Sequence, residues 1–278
     1  MNAIARIPAV TSAIGTPLNA LGYYPEDVDV SVPYVAPLSR ALEDGRHESF
    51  LEQASCKADR DAIRNFQFHL LKNKATLLPM FDNYCASKGY TFYVPTSTIY
   101  DLCVLEYQFS FWQWGMPVTE IPAADADDET VFKYFIGACE PNYFSRKNDL
   151  ESFSVQAVKD FGYYGYNVDP FKDYINVEDI EGYYKKVMLP SKWTDTVFDD
   201  YNYRFVTDFL TENDPKMIFV YGEWDPWTAS GVTWLRDRNK QNIHIFVEPG
   251  GSHKARISTL RRDNQKEVLN LLKEWMLQ

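Results

Sequence analysis

Apolar positions along the chain follow two periods. Residues 217–221 and 243–247 are short continuous runs rich in β-branched and aromatic side chains, the signature of buried strands. Residues 28–35 alternate loosely between β-branched and polar types and stop before Pro37, so they read as a further strand adjoining the 217–221 strand. Everything between these strands has helical spacing. Ile63, Phe66, Leu70 and Leu71 mark a helix over 59–78, and Leu77, Phe81 and Tyr84 continue it over 76–88, with Pro79 expected to break or restart it. Residues 99–114 place Leu102, Leu105, Glu106, Phe109 and Trp112 close together on one side of a helix. Further helices are predicted over 130–138, 152–164, 177–188 and 196–210, and a last one over 256–277 covers a sheet face with Leu260, Val268, Leu271, Leu272 and Trp275.

The pattern therefore predicts an α/β protein in three stretches: sheet-forming segments at 1–42 and 215–278, and an all-helical insertion at 43–214 between them. Residues 162–166, Gly-Tyr-Tyr-Gly-Tyr, punctuate the insertion and read as a packing hinge.

Composition narrows the function classes. With 278 residues and 45% hydrophobic content the chain can bury a substantial core, and an aromatic share of 16% supplies pockets as well as core. A net charge of −11 argues against nucleic acid or an anionic membrane as partner. Residues 120–214 carry twenty acidic against nine basic side chains, so the acidity is concentrated in the helical insertion. A solvated acidic face is the default reading of that concentration. No apolar run approaches the length of a membrane span, and no signal-peptide core precedes a small-residue cleavage site. Four cysteines without metal-ligand spacing favour buried free thiols, and no metal or organic cofactor is implied.

Each of the two buried strands runs into a turn that carries an acid or a base. Asp225 follows the first in Gly-Glu-Trp-Asp-Pro, and His253, 28 residues on, follows the second in Pro-Gly-Gly-Ser-His. Both are thus expected beyond the carboxyl ends of neighbouring parallel strands, where open α/β sheets keep their sites. A general-base imidazole needs a carboxylate on its far nitrogen to fix the tautomer and stabilise the imidazolium, so Asp225 is the candidate orienter and His253 the candidate base. The order strand, Asp, helix, strand, His, helix is that of the last third of an α/β-hydrolase.

The strings YGEWDPW, EPGGSHKARI, YYPEDVDVSVPYVAPL and EYQFSFWQWG resemble a bacterial family of secreted prolyl tri- and tetrapeptidyl aminopeptidases. The resemblance runs from about Tyr23 to the C-terminus and corresponds to the second half of a family member. It implies an α/β-hydrolase fold with a large helical cap, a serine exopeptidase activity that needs no cofactor, an exported protein, and catalytic roles for Asp225 and His253. It also gives meaning to Glu106. A carboxylate among Leu105, Tyr107, Phe109, Phe111 and Trp112 is costly to bury without a cation, and in an aminopeptidase that cation is the substrate's N-terminal ammonium. Glu106 and Trp112 are thus the expected substrate-binding residues.

The chain departs from the family at the nucleophile. A strained strand-to-helix elbow requires G-x-S-x-G, and no such pentapeptide occurs in the sequence. Ser12 stands near the right distance but between Val10 and Ile14. The expectation is a chain without its own nucleophile, inactive alone, that completes itself with a missing N-terminal half or associates as a homodimer. Two other readings remain open: a non-catalytic peptide-binding protein descended from that family, and an esterase of the same fold.

Overall fold

The computed structural model describes Ala9–Val10 and residues 22–276. Four short parallel strands form its sheet: β1 (Ala9–Val10), β2 (Val32–Pro33), β3 (Met217–Gly222) and β4 (Ile243–Glu248). β1 pairs with β2 and β3 with β4, and the bridges Ser31–Met217 and Tyr34–Val220 join the two pairs, so the spatial order is 1-2-3-4. The strand expected over 28–35 is therefore present and adjoins β3, although its regular part shrinks to two residues.

β3 is buried along its whole length, and its side chains alternate between two apolar clusters as the pleat demands. Met217, Phe219 and Tyr221 face one side, with Val206 and Leu210 of helix Tyr201–Glu212; Ile218 and Val220 face the other, with Val268 and Trp275 of helix Arg262–Met276. A core residue of this kind contributes about 2 kcal/mol through its buried apolar area.

Between β2 and β3 the described chain is helical: α1 (Arg46–Leu51), α2 (Lys57–Lys72), α3 (Lys74–Lys88), α4 (Thr96–Trp114), α5 (Asp128–Ala138), α6 (Glu151–Gln156), α7 (Val177–Ile180), α8 (Tyr183–Met188) and α9 (Tyr201–Glu212). α10 (Arg262–Met276) follows β4. The helical stretch has its own apolar core, built around α4, which buries side chains on nearly every face. Among the described residues no helix is long and apolar enough to cross a membrane.

Three boundaries depart from the sequence pattern. The break expected at Pro79 lies at Asn73 instead, where the Asn73 amide and backbone N–H both donate to the His69 carbonyl and end α2. Pro79 sits inside α3, whose Leu77, Phe81 and Cys85 are buried and hold the helix together across the missing N–H. The helix expected over 177–188 is split at Gly182, whose φ of +64° is left-handed. After Asp225 the chain makes only short 3₁₀ turns, Pro226–Ser230 and Thr233–Asp237, where an α-helix was expected.

Candidate active site

The loops that follow β3 and β4 are laced together. The Glu223 and Trp224 N–H groups donate to the Glu248 and Gly251 carbonyls, both at 2.9 Å. The crossing is so close that a Cβ on Gly222 would collide with the carbonyls of Gly251 and Ser252. Gly250 turns the second loop with φ +66°, a conformation that favours glycine.

The lacing brings Asp225 and His253 into register. Asp225 is fully buried; Oδ1 accepts from the Trp227 N–H at 3.3 Å, and Oδ2 lies 2.9 Å from His253 Nδ1. Burial pushes the Asp225 carboxyl up from its ordinary value, and the His253 hydrogen bond and charge pull it back. With Oδ2 as acceptor, Nδ1 carries the proton and Nε2 is left as the acceptor, the tautomer a general base requires. No hydrogen-bond partner of Nε2 is found among the described residues. The backbone is fixed as well: the His253 N–H donates to the Gln113 carbonyl at 2.9 Å, and Arg256 donates to the His253 carbonyl at 3.0 Å.

Glu106 is buried in α4 and surrounded by donors. Ser110 Oγ donates to Oε1 at 2.9 Å, and the Tyr164 and Tyr166 hydroxyls donate to Oε2 at 3.0 and 2.8 Å. Burial pushes its carboxyl up to about 7, against the lowering effect of those three hydrogen bonds. The group therefore changes charge near neutrality in a setting that has reserved its acceptor sites.

Glu106 lines a cavity of about 340 Å³ together with Ser110, Cys139, Tyr143 and Tyr164. His253 lines a second of about 400 Å³ with Pro37, Phe153 and Arg256. Gln113, Trp114 and Trp227 belong to both, so the two spaces share a wall. Trp112 lines neither. It is buried against Trp224, ring centroids 5.5 Å apart, with its Nε1 unpartnered among the described residues. The place in the cavity wall expected for it is taken by Trp114, two residues on, on the side of α4 that carries Glu106, Ser110 and Gln113.

Sequence reasoning also passed over Trp227, Gln113 and the hydroxyls of Tyr164 and Tyr166. The loop read as a packing hinge supplies the two phenols that hold Glu106. Ser12 lies outside the described residues. All four cysteines are free, three of them buried and Cys56 exposed.

The family model of the PS-10 peptidase S37 matches residues 15–276. The chain belongs to that family. A PS-10 peptidase S37 chain of this kind is also similar to the prolyl tri/tetrapeptidyl aminopeptidase of Streptomyces mobaraensis, at 23% identity over 272 residues, 91% of this chain and 54% of that protein. This S37 chain thus spans about half the length of the curated relative it matches.

Proposed function

We propose that the chain provides the Asp–His half and the substrate chamber of a serine exopeptidase of the α/β-hydrolase type, releasing short peptides from free N-termini. The observation that carries this reading is the shared wall: a paired, correctly tautomeric imidazole and a buried carboxylate open onto adjoining cavities. Residues 43–214 act as the cap that closes over the sheet ends. Glu106, ionised, binds the substrate's ammonium. His253 Nε2 takes the proton of a serine hydroxyl as its oxygen attacks the carbonyl, then passes that proton to the leaving amine. Water repeats the cycle on the acyl-enzyme, and Asp225 stabilises the imidazolium in both halves.

The span between the two groups supports a short peptide. Glu106 and Gln113 lie seven residues apart on α4, about 10 Å of helix rise, and Gln113 holds the His253 backbone. About three extended residues cover the same length.

The serine comes from outside the described residues. The unpartnered Nε2 favours one second reading, a peptide-binding protein of this family that does not turn over. Labelling with a fluorophosphonate, followed by peptide mapping, separates the two. An adduct on one serine that disappears in His253→Ala supports the peptidase. An adduct indifferent to His253, or no binding of a free-amine peptide, sinks it; binding without any adduct points to the second reading.

A further inference from the structure

The two adjoining cavities are lined by opposite charges. Glu106 and Glu140 are the charged side chains in the wall of the first, whereas Lys254 and Arg256 stand in the wall of the second, beside His253, with no acid among them. In a chain of net charge −11, a cavity lined by cations goes against the composition.

Arg256 is held in place there. Its Nη1 donates to the His253 and Ala255 carbonyls at 3.0 and 2.7 Å, and its guanidinium lies 5.1 Å from the centre of the Tyr34 ring. Tyr34 in turn bridges to Val220 of β3, so the guanidinium is clamped between the His253 loop and the sheet. Both protons of Nη1 are thus engaged, and no acceptor for Nε or Nη2 is found among the described residues. The Asp225 carboxylate feels the Arg256 charge, but its oxygens are taken by His253 and Trp227. Lys254, next along the loop from His253, is exposed, and its ammonium also lacks an acceptor among the described residues. A planar guanidinium tied down at Nη1 and open at Nε and Nη2 presents two parallel N–H donors, the arrangement that the two oxygens of a carboxylate accept.

We infer that the second cavity is a carboxylate subsite: Arg256 and Lys254 bind the negative group of the segment that departs with the new amine, whether its C-terminal carboxylate or an acidic side chain just after the cut bond. The inference rests on the peptide path of the proposed function, in which the ammonium lies at Glu106 and the chain runs past His253 into this cavity. Bound that way round, a peptide sets both its charges against their opposites. Reversed, it sets an ammonium against Arg256 and a carboxylate against Glu106, so the chamber also selects direction.

The test is calorimetric titration of the full chain at low ionic strength with three free-amine peptides: Ala-Ala-Pro-Ala-amide, the same peptide as its free acid, and Ala-Ala-Pro-Asp-amide. For a peptide that is turned over, kcat/KM takes the place of affinity. At least one of the two acidic peptides should exceed the neutral amide by about tenfold, and which one does so identifies the source of the carboxylate. Lys254→Glu should abolish that preference, and Arg256→Gln should reduce it to about threefold or less. Glu106→Gln should weaken all three peptides alike and leave their ratios intact.

Equal affinities for the three peptides in wild type overturn the subsite and leave the Glu106 anchor standing. Loss of the preference in either folded variant upholds the subsite; a preference that survives in both overturns it, because the carboxylate then binds elsewhere. Glu106→Gln without effect removes the anchor, and the ratios in Lys254→Glu then decide the subsite by themselves. If wild type binds none of the peptides, both claims fall. Should Arg256→Gln not fold, Lys254→Glu decides alone, since the side chain it replaces is exposed.

Discussion

His253 Nδ1 and Asp225 Oδ2 meet at 2.9 Å from the ends of adjacent parallel strands, in loops held together by the bare backbone of Gly222. The carboxylate acts here as an acceptor only. In Asp225→Asn the amide nitrogen donates to Nδ1, which moves the ring proton to Nε2. The nitrogen-15 shifts of His253 should report this exchange of tautomers, and any His253-dependent turnover should drop on the order of ten-thousandfold. Unchanged shifts would show that the pair does not control the tautomer.

Under the proposed function, Glu106 makes peptide binding depend on pH in a definite direction. Its carboxyl, at about 7, must be ionised to pair with an ammonium, while a peptide amine stays protonated below roughly 8. Affinity for a free-amine peptide should rise from pH 6, peak between about 7 and 8, and fall above. Glu106→Gln should lose the acid limb and about thirtyfold in affinity, and acetylated peptide should lose as much with wild type. A flat profile in wild type would dismiss the anchor.

The same carboxyl affects stability in the opposite sense from an exposed acid. Its folded value of about 7 lies above the ordinary 4.5, so the folded form holds the proton longer. Its contribution is full below about 4.5 and is lost as pH rises through 7, a change of about 3 kcal/mol. Relative to wild type, Glu106→Gln should therefore gain stability between pH 4.5 and 7, read by chemical denaturation across that range.

His47 gives the mirror image. Burial pulls its imidazole from 6.5 down to about 4, so the unfolded chain takes up the proton first. Its contribution is intact above about 6.5 and disappears as pH falls through 4, roughly 3 kcal/mol over the window. The fully buried Asp44 beside it stays charged, its carboxyl held below the usual range by Arg46 despite burial, and cannot supply a proton there. His47→Gln keeps a donor and an acceptor but does not titrate, so its stability should be flatter between pH 4 and 6.5 than that of wild type.

Trp112 and Trp114 should separate cleanly. Trp112→Phe removes an unpartnered buried N–H along with some packing, so stability should change by no more than about 1 kcal/mol and peptide affinity not at all. Trp114→Ala removes part of the wall shared by both cavities and should weaken peptide binding while lowering the melting temperature only modestly, since the residue is already 46% exposed. The reverse pattern, read by titration and thermal melting, would restore Trp112 to the binding wall.

What the sequence disclosed was mostly local. The strands β3 and β4 announce themselves by length and β-branching, and the two turns after them by Asp-Pro and Gly-Gly, so Asp225 and His253 could be paired before any coordinates. The choice between Trp112 and Trp114 could not be made that way. Helical periodicity identifies a buried face by contrast with an exposed one, and α4 is buried on almost all sides. The partners of Glu106 were hidden for a different reason: Tyr164 and Tyr166 lie 58 and 60 residues along the chain, and their loop shows only glycines and rings, not where its hydroxyls point. The 3₁₀ turn after Asp225 was mistaken for a helix because Pro226 suits the first position of either.

α4 spaces Glu106 and Gln113 by seven residues, which is two turns less about 20°, so the two positions share a face. Changing the distance between anchor and base is therefore not a matter of adding chain. One inserted residue lengthens the helix by about 1.5 Å but swings Glu106 by about 100° out of the cavity and into packed apolar neighbours. Only a whole turn or a whole heptad returns it, and a heptad adds about 10 Å, the length of three more peptide residues. If the proposed function holds, peptide length in this architecture can change only in steps, and each step would require every side chain that packs around α4 to find a new partner.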